Sequence, residues 1–104
     1  MYKAYQYDAE QKTRDVVILV TDTDVEASPA GKWNVRHFKN TTIAPNTTIM
    51  TLRYAPEPAV LYAGVTLYPG DSCTASIDAR YTPYRGSIHV IGSDANGQLS
   101  VHEE

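Results

Sequence analysis

Three carboxylates lie two residues apart at Asp22, Asp24 and Glu26. In an extended segment, residues two apart point to the same side, so these side chains would share one face. A hard cation such as Ca²⁺ is bound by roughly six to eight oxygen ligands of this kind. The sequence shows no further ligand set beside them. We therefore interpret the segment as a solvated, acidic strand end and predict no metal site.

The histidines and the cysteine are not spaced as a local metal or redox motif. His37, His89 and His102 lack the His-Glu-x-x-His spacing of a zinc site, and Cys73 has no Cys-x-x-Cys partner. No nucleophile elbow or glycine-rich phosphate loop is found, and a β domain of 104 residues has little volume for a deep cleft. We therefore predict a non-enzymatic protein with no catalytic residues, cofactor or metal.

Aromatic side chains beside arginines form the strongest candidate binding surface. Trp33 and Arg36 lie in one polar segment, and Tyr81, Tyr84 and Arg85 lie in another. Exposed aromatic rings next to planar polar groups are typical of surfaces that bind proteins or sugars. The alternative is that Trp33 and Tyr81 cap the core, with their polar atoms at its rim. A ring more than half exposed would favour the binding surface.

Two N-glycosylation sequons lie close together, at Asn40-Thr-Thr42 and Asn46-Thr-Thr48. In a eukaryotic secreted protein, Asn40 and Asn46 would both mark an exposed loop. The same residues are also expected from structural preference alone, because Thr favours strands and Asn favours turns. Both asparagines are therefore candidate glycosylation sites, and their accessibility is the deciding property.

The composition excludes several classes of partner. The formal net charge is −3 and no run of Lys or Arg occurs, so we expect no nucleic-acid binding. No stretch approaches the roughly 18 apolar residues of a membrane span, and no signal peptide is recognisable. Cys73 cannot form an internal disulfide, which favours an intracellular protein or a secreted one that is stable without disulfides. Protein and carbohydrate partners stay open, as does the oligomeric state.

Strands must position these residues, because strand signals dominate the chain. The run VVILV at residues 16–20 is β-branched and apolar, which predicts a strand buried on both faces. Further strands are predicted at residues 47–54, 60–68 and 87–91. The pair Asn96-Gly97 follows the last of these and predicts a closing β-hairpin. Six prolines leave little room for a long helix.

The chain also resembles itself at a distance of 48 residues. Residues 17–43 and 65–91 share five identities in 27 pairs. A unit that cannot bury its apolar face alone is often doubled. We therefore predict a single domain of two similar motifs, about residues 1–46 and 47–104, related by a pseudo-twofold axis that places residues 16–20 in the interior. One core should contain residues of both motifs: Val17, Leu19, Leu67, Ile88 and Val90.

The second motif resembles the βγ-crystallin superfamily. Four segments resemble its first strand, its aromatic-x-Gly hairpin, its Gly-Asp step and its closing strand: Leu52-Arg-Tyr54, Tyr62-Ala-Gly64, Gly70-Asp71 and Ser87-Ile-His-Val-Ile91. The resemblance implies an all-β, two-sheet Greek-key sandwich that acts as a structural or protein-interaction module. A jelly roll or an immunoglobulin-like sandwich is the alternative fold.

The resemblance does not extend to calcium binding. Microbial members of the superfamily bind Ca²⁺ through a pair of Asn or Asp residues, which Thr82-Pro83 and His37-Phe38 replace here. The alternative function is a secreted binder, such as a protease inhibitor or a small toxin, that presents a loop at residues 54–62 or 80–85. A small lectin using Trp33 and Tyr81 is a further alternative.

Overall fold

The computed structural model describes residues 13–104, which fold entirely as β-strands and connecting loops. The eight strands are β1 (Arg14–Val20), β2 (Val25–Ser28), β3 (Val35–Asn40), β4 (Met50–Arg53), β5 (Val65–Leu67), β6 (Ser72–Ser76), β7 (Ile88–Gly92) and β8 (Gly97–Glu103). They form two antiparallel sheets: sheet A in the order β1-β8-β3-β6 and sheet B in the order β2-β7-β4-β5. The predicted all-β, two-sheet sandwich is confirmed, and these residues contain no helix that could span a membrane.

The strand orders of the two sheets are related by a shift of four strands. If four is added to each strand number of sheet A, and the count continues from β8 to β1, the order becomes β5-β4-β7-β2. This is the order of sheet B read from its other edge. β1 then corresponds to β5 and β2 to β6, as in the 48-residue alignment. The buried faces do not follow that alignment, because Leu19 is exposed whereas Leu67 is buried. Since a one-residue shift moves side chains to the opposite face, Val20 is the buried equivalent of Leu67.

The core lies between the sheets and takes alternate residues from each strand. In β8, for example, Leu99 and Val101 point inward, while Ser100 and His102 lie on the outer face. Phe38 of β3 lies among the core residues and meets Tyr54 edge to face, with ring centroids 6.4 Å apart. The buried core comprises Val20, Ala27, Phe38, Met50, Leu52, Leu67, Ile88, Val90, Leu99 and Val101.

β1 is an edge strand, which corrects the prediction of an interior strand buried on both faces. Among the described residues it pairs with β8 alone. Val17 is 58% exposed and Leu19 is 76% exposed, so their predicted place in the core is wrong, whereas Leu67, Ile88 and Val90 are confirmed there. A uniformly apolar run does not show which of its alternating faces points inward, and pairing with β8 decides it.

The predicted closing hairpin is also corrected. β7 and β8 are strands at the expected positions, but β7 belongs to sheet B and β8 to sheet A. The turn between them therefore crosses from one layer to the other. It is held by Asp94, whose carboxylate accepts hydrogen bonds from the Thr48 hydroxyl and the Asn96 backbone N–H. Gly92 and Gly97 allow this close approach, since a Cβ on either would lie about 3 Å from the Thr48 methyl group.

Candidate functional site

The structure brings four of the five residues of the predicted aromatic and basic surface to one end of the sandwich. The Arg85 Nε donates to the Trp33 carbonyl oxygen at 3.1 Å, and the Arg36 Nη1 donates to the Tyr84 carbonyl oxygen at 2.7 Å. The fifth residue, Tyr81, lies in the loop before Tyr84, where it pairs with Asp78 through backbone hydrogen bonds. The predicted grouping is therefore observed, but its contacts are largely internal.

Arg36 is not a surface residue, which corrects its predicted role in binding. It is 1% exposed and lies between the sheets, where its Nε donates to Glu103 at 2.6 Å. All five of its N–H donors have partners: besides Glu103, these are the Ser28 hydroxyl and the carbonyl oxygens of Pro29, Tyr84 and Gly86. A buried guanidinium requires such complete pairing. Arg36 therefore holds two loops onto the sandwich.

Glu103 is the anionic centre of this buried network. Its carboxylate oxygens lie 2.6 and 2.7 Å from the Ser28 hydroxyl of sheet B, and Arg14 donates to one of them at 2.9 Å. The carboxylate of sheet A thus connects both layers and is balanced by two arginines. In residues 13–104 every buried side-chain nitrogen and oxygen has a hydrogen-bond partner. The network stabilises the fold and leaves no group free for a ligand.

The aromatic rings at this end are mostly covered. Trp33 is half-buried and its Nε1 donates to the Pro29 carbonyl oxygen at 3.0 Å. Tyr84 is half-buried as well and packs on Tyr54 at a centroid distance of 6.0 Å. Tyr81 is the most exposed of the three, at 49%. Neither Trp33 nor Tyr81 exceeds half exposure; the geometry favours the core-capping alternative for Trp33, whereas Tyr81 is exposed and is not among the residues packed on the core.

Burial also makes Cys73 a poor nucleophile. Its Sγ lies 3.6 Å from the Tyr54 hydroxyl, and burial raises the pKa of both groups above their ordinary values. Because only the thiolate attacks or binds metals readily, a raised pKa keeps Cys73 in its unreactive form.

The two sequons differ in accessibility. Asn40 is fully buried, and its Nδ2 donates to the carbonyl oxygens of Thr48 and Leu67, both at 2.9 Å. A glycan on that nitrogen would remove these bonds and has no space between the sheets. Asn46 is exposed in the loop between β3 and β4. Glycosylation of the folded protein is therefore sterically compatible with Asn46 only.

The acidic segment is divided by the fold. Asp24 accepts from the Ala59 backbone N–H at 2.7 Å and pairs with His89 Nδ1 at 2.9 Å, whereas Asp22 and Glu26 are exposed. Residues 13–104 contain no group of three or more His, Cys, Asp or Glu side chains arranged to hold a metal ion. Asp24 instead fastens the long loop that follows β4.

That loop, residues 54–64, crosses the outer face of sheet B and is held down along its length. Arg53 donates to the Pro58 carbonyl oxygen at 3.2 Å and pairs with Glu57 at 2.5 Å. Beyond the Asp24 contact, the Ala63 N–H donates to the Val60 carbonyl oxygen at 2.9 Å. The loop falls in one of the segments predicted for a loop-presenting binder. Its turn at residues 60–63 replaces the first half of the strand predicted at residues 60–68.

Tyr62 stands at the tip of this turn in a strained conformation. Its φ of +68° is in the left-handed region, which costs an ordinary L-residue roughly 1 to 2 kcal/mol. The buried Thr51 hydroxyl holds it there by accepting from the Tyr62 N–H at 2.8 Å. Gly64 follows at φ +149°, where a Cβ would lie 2.5 Å from the Leu52 carbonyl oxygen. The result is a Tyr residue that is 58% exposed on a fixed backbone.

Further apolar side chains are exposed on both sides of Tyr62. Val60 precedes it in the turn, and Val65 and Tyr68 follow it in and just after β5. Val65 faces Leu52 across the β4–β5 pair and so lies on the opposite face of sheet B from Thr51, which holds the Tyr62 turn. Exposed apolar groups that are close together are typical of binding surfaces. We call Val60 and Tyr62, the exposed apolar residues of the turn, the Tyr62 surface. The sequence marked Tyr62-Ala-Gly64 only as a folded hairpin, because neither its strain nor its exposure can be derived from residue type.

The strain at Tyr62 is testable by comparing two replacements. Tyr62→Ala and Tyr62→Gly both remove the ring, but only glycine relieves the positive φ. We expect Tyr62→Gly to be more stable than Tyr62→Ala by about 1 kcal/mol in urea unfolding. Gly and Ala replacements at Tyr68 serve as a control, since no positive φ is found there. Equal stability of the two Tyr62 variants would contradict the strained backbone.

The outer face of sheet A carries a second cluster of polar groups. The Nδ1 of His102 lies 2.5 Å from the carboxylate of Asp15 and its Nε2 lies 2.8 Å from that of Glu104. The carboxylates of Glu104 and Asp15 accept hydrogen bonds from the His102 ring and so raise the pKa of His102 above its ordinary value of 6.5. The protonated ring is thus favoured in the folded state, and the exposed pair of carboxylates is partly neutralised.

This arrangement predicts the direction of a pH effect. A folded-state pKa raised above the unfolded value stabilises the protein below about pH 6.5, and that contribution is lost as the pH rises through the folded pKa. NMR titration should show that Glu104→Gln lowers the pKa of His102 toward its ordinary value, and that Asp15→Asn does so to a smaller extent. Glu26→Gln, an exposed carboxylate on sheet B, is the control. An unchanged His102 pKa in both variants would refute the contacts.

Comparison with protein families, curated proteins and solved structures gives no match to this chain.

Proposed function

We propose that the chain is a non-enzymatic, protein-binding β-sandwich module whose recognition element is the Tyr62 surface. The observation that carries this proposal is the backbone of Tyr62, strained at φ +68° and fastened by the buried Thr51 hydroxyl, with the residue 58% exposed. Backbone strain is retained where the surrounding structure imposes it, and it is concentrated at functional sites. A loop with no binding role could relieve it with glycine.

The fastened loop lowers the entropic cost of binding. Arg53, Asp24 and Thr51 already fix the backbone of residues 58–62, so a partner need not order it. Tyrosine is suited to such a position, because its ring contributes a large apolar area and its hydroxyl a hydrogen bond. Val60 is a second exposed apolar side chain of the same turn.

The strand orders support the jelly-roll alternative for the fold. An eight-stranded, double-sheet jelly roll combines two Greek keys, and the shift of four strands that relates sheet A to sheet B fits such a doubled arrangement. The resemblance to βγ-crystallins stays a prediction. Jelly rolls serve several unrelated functions, so the fold itself does not identify the partner.

The other binding alternatives have weaker support. A lectin using Trp33 and Tyr81 would need two open rings, but Trp33 is half-buried and donates its indole N–H to Pro29. A substrate-like protease inhibitor would present an extended scissile residue, and a φ of +68° is not extended. A protein partner that receives the Tyr62 ring in a pocket agrees best with the geometry.

Affinity enrichment with immobilised variants tests the proposal. Wild-type protein, Tyr62→Ala and Tyr81→Ala are compared quantitatively for the proteins they retain from extracts of the source organism. Tyr81 is the matched control, because it is also an exposed tyrosine but lies in a different loop. We expect a partner retained equally by wild type and Tyr81→Ala, whose affinity for Tyr62→Ala falls about 30-fold in calorimetry, the effect of a hot-spot residue.

Two results would contradict the proposal. One is that every enriched protein is retained equally by Tyr62→Ala. The other is that Tyr81→Ala and Tyr62→Ala lose the same partner to the same extent, which would indicate a general loss of surface properties. Matching unfolding curves for the two variants exclude a simple difference in stability.

A further inference from the structure

The backbone of β1 leaves one row of hydrogen-bonding groups unused within the described residues. Glu104 exchanges hydrogen bonds of 3.0 and 3.1 Å with Val35 at the start of β3, so even-numbered residues of β8 direct their backbone groups to β3. The backbone groups of odd-numbered residues of β8 therefore form their hydrogen bonds with even-numbered residues of β1. The backbone groups of Asp15, Val17 and Leu19 consequently point to the open edge of sheet A.

β1 has few of the features that usually protect an edge strand, and its two charged residues, Arg14 and Asp15, both lie at its N-terminal end. Its seven residues pair with β8 without a bulge, and it contains no Lys, Pro or Gly. The other three edges differ: β2 has a register irregularity between Glu26 and Ser28, β5 has three residues, and β6 has the polar sequence SCTAS. Among the described strands, β1 is thus the long apolar edge suited to pairing with another strand.

The charges beside this edge are already paired within the chain. Asp15 lies 2.5 Å from His102, and Arg14 lies 2.9 Å from Glu103. Two copies of a protein with net charge −3 repel each other in general. At β1 this repulsion is reduced, because Asp15 is hydrogen-bonded to His102 and Arg14 is paired with Glu103. The edge is therefore electrostatically suited to a second copy of the same strand.

We propose that two copies of this chain associate through antiparallel pairing of β1 with β1, with Val17 on the twofold axis. This inference goes beyond the proposed function and does not depend on it. In this register Val17 faces Val17, and Asp15 of each copy faces Leu19 of the other. The N–H and carbonyl groups of Asp15, Val17 and Leu19, which have no backbone partner within residues 13–104, are then used in each copy. The pairing gives six hydrogen bonds and one continuous eight-stranded sheet.

The side chains support the same register. Val17 and Leu19 are exposed on the outer face of sheet A, and the twofold places the two Val17 side chains in contact with a Leu19 on either side. A shallow cavity of about 240 Å³ lies beyond the end of this row, and Leu19 and Ile43 line it. Continuing the register places Thr13 of the second copy opposite Thr21, which also lines the cavity. The edge and the cavity thus form one surface.

Site-directed crosslinking tests both the association and its register, in full-length protein carrying Cys73→Ser. Cα atoms of a hydrogen-bonded antiparallel pair are about 5.5 Å apart, within the range of a disulfide, so Val17→Cys should form a covalent dimer of twice 11.5 kDa on mild oxidation. Leu19→Cys is the matched control. The two copies of Leu19 would be offset by four residues, about 14 Å, which a disulfide cannot span.

Proline scanning provides a second test without crosslinking. Val17→Pro removes an N–H that points to the open edge, so the β1–β8 ladder is kept while the dimer is lost, and sedimentation should show at least a tenfold weaker association than for wild type. Wild-type protein that sediments as a monomer at about 100 μM would overturn the proposal. Equal crosslinking of Val17→Cys and Leu19→Cys would overturn the register. A monomer in which the Val17 amide exchanges slowly would also overturn the proposal. It would indicate that residues 1–12 of the same chain, and not a second copy, protect the edge of β1.

Discussion

Replacing Arg36 by methionine is expected to lower the free energy of unfolding by about 3 to 5 kcal/mol, because it leaves the buried Glu103 carboxylate without its main partner. Methionine fills a similar volume but provides none of the five hydrogen bonds. Glu103 would then keep only Arg14 and Ser28 as partners, and the carbonyl oxygens of Tyr84 and Gly86 would lose their donor. Urea unfolding followed by tryptophan fluorescence measures the change, because Trp33 lies at the same end.

The matched control for this prediction is Arg53→Met. Arg53 pairs with Glu57 at 2.5 Å, but both side chains are substantially exposed, so its loss should cost no more than about 1 kcal/mol. The double variant Arg36→Met, Glu103→Leu should be more stable than the sum of its single changes, since Glu103 is no longer left without Arg36 and only the partly exposed Arg14 loses its partner. Similar losses of unfolding free energy for Arg36→Met and Arg53→Met would show that the buried network contributes no more to stability than an exposed ion pair.

Leu52→Ala and Leu19→Ala should differ sharply although they make the same chemical change. Leu52 is fully buried in β4, and its truncation is expected to cost about 2 to 5 kcal/mol. Leu19 is exposed in β1, and its truncation should change stability by less than about 0.5 kcal/mol. Guanidinium unfolding at concentrations low enough for a monomer measures both values.

The protein concentration is an informative variable in this comparison. If the proposed β1 dimer forms, Leu19→Ala will cost more at high concentration, because association adds to the stability of the folded state. The cost of Leu52→Ala should not depend on concentration in that way. A loss above about 2 kcal/mol for Leu19→Ala in dilute monomer would instead place Leu19 in the core and contradict the register of β1 with β8.

The sequence predicts where strands lie in the chain better than it predicts their buried faces and their neighbouring strands. Residues 16–20 and 87–91 are recognisable because β-branched and apolar residues are enriched there, and the observed strands β1 and β7 overlap both ranges. The inward face of β1 and the separation of β7 from β8 depend on pairing with strands far away in the chain. No local pattern contains that information, so Leu19 and the closing hairpin were predicted wrongly.

β3 shows the opposite limitation. Its buried face consists of Arg36, Phe38 and Asn40, so two of its three inward residues are polar. A search for apolar alternation does not find such a strand, and Arg36 therefore resembles a surface residue next to Trp33. The arginine is tolerated inside only because Glu103, distant in sequence, meets it there. Buried polar residues become recognisable once their partners are known.

The candidate site could be located only in part. Residues 55–58 are recognisable as a loop from their prolines, and the aromatic-x-Gly segment indicates a folded turn, although residues 60–68 are predicted as a strand. The exposure of Tyr62 and its hydrogen bond to Thr51 depend on how the loop lies on sheet B. Trp33 and Tyr84 resemble binding residues equally well in the sequence, yet both are half-buried.

The position of β8 at the middle of sheet A determines how slowly this protein must fold. The hydrogen bonds of Glu103 to Arg14 and Arg36 close loops of 89 and 67 residues. Closing those loops costs chain entropy before the contacts can stabilise the folded state. We therefore expect refolding on a time scale of roughly milliseconds to seconds. During that time β1 has neither β8 nor another strand beside it. High protein concentration during refolding should therefore favour aggregation through residues 14–20.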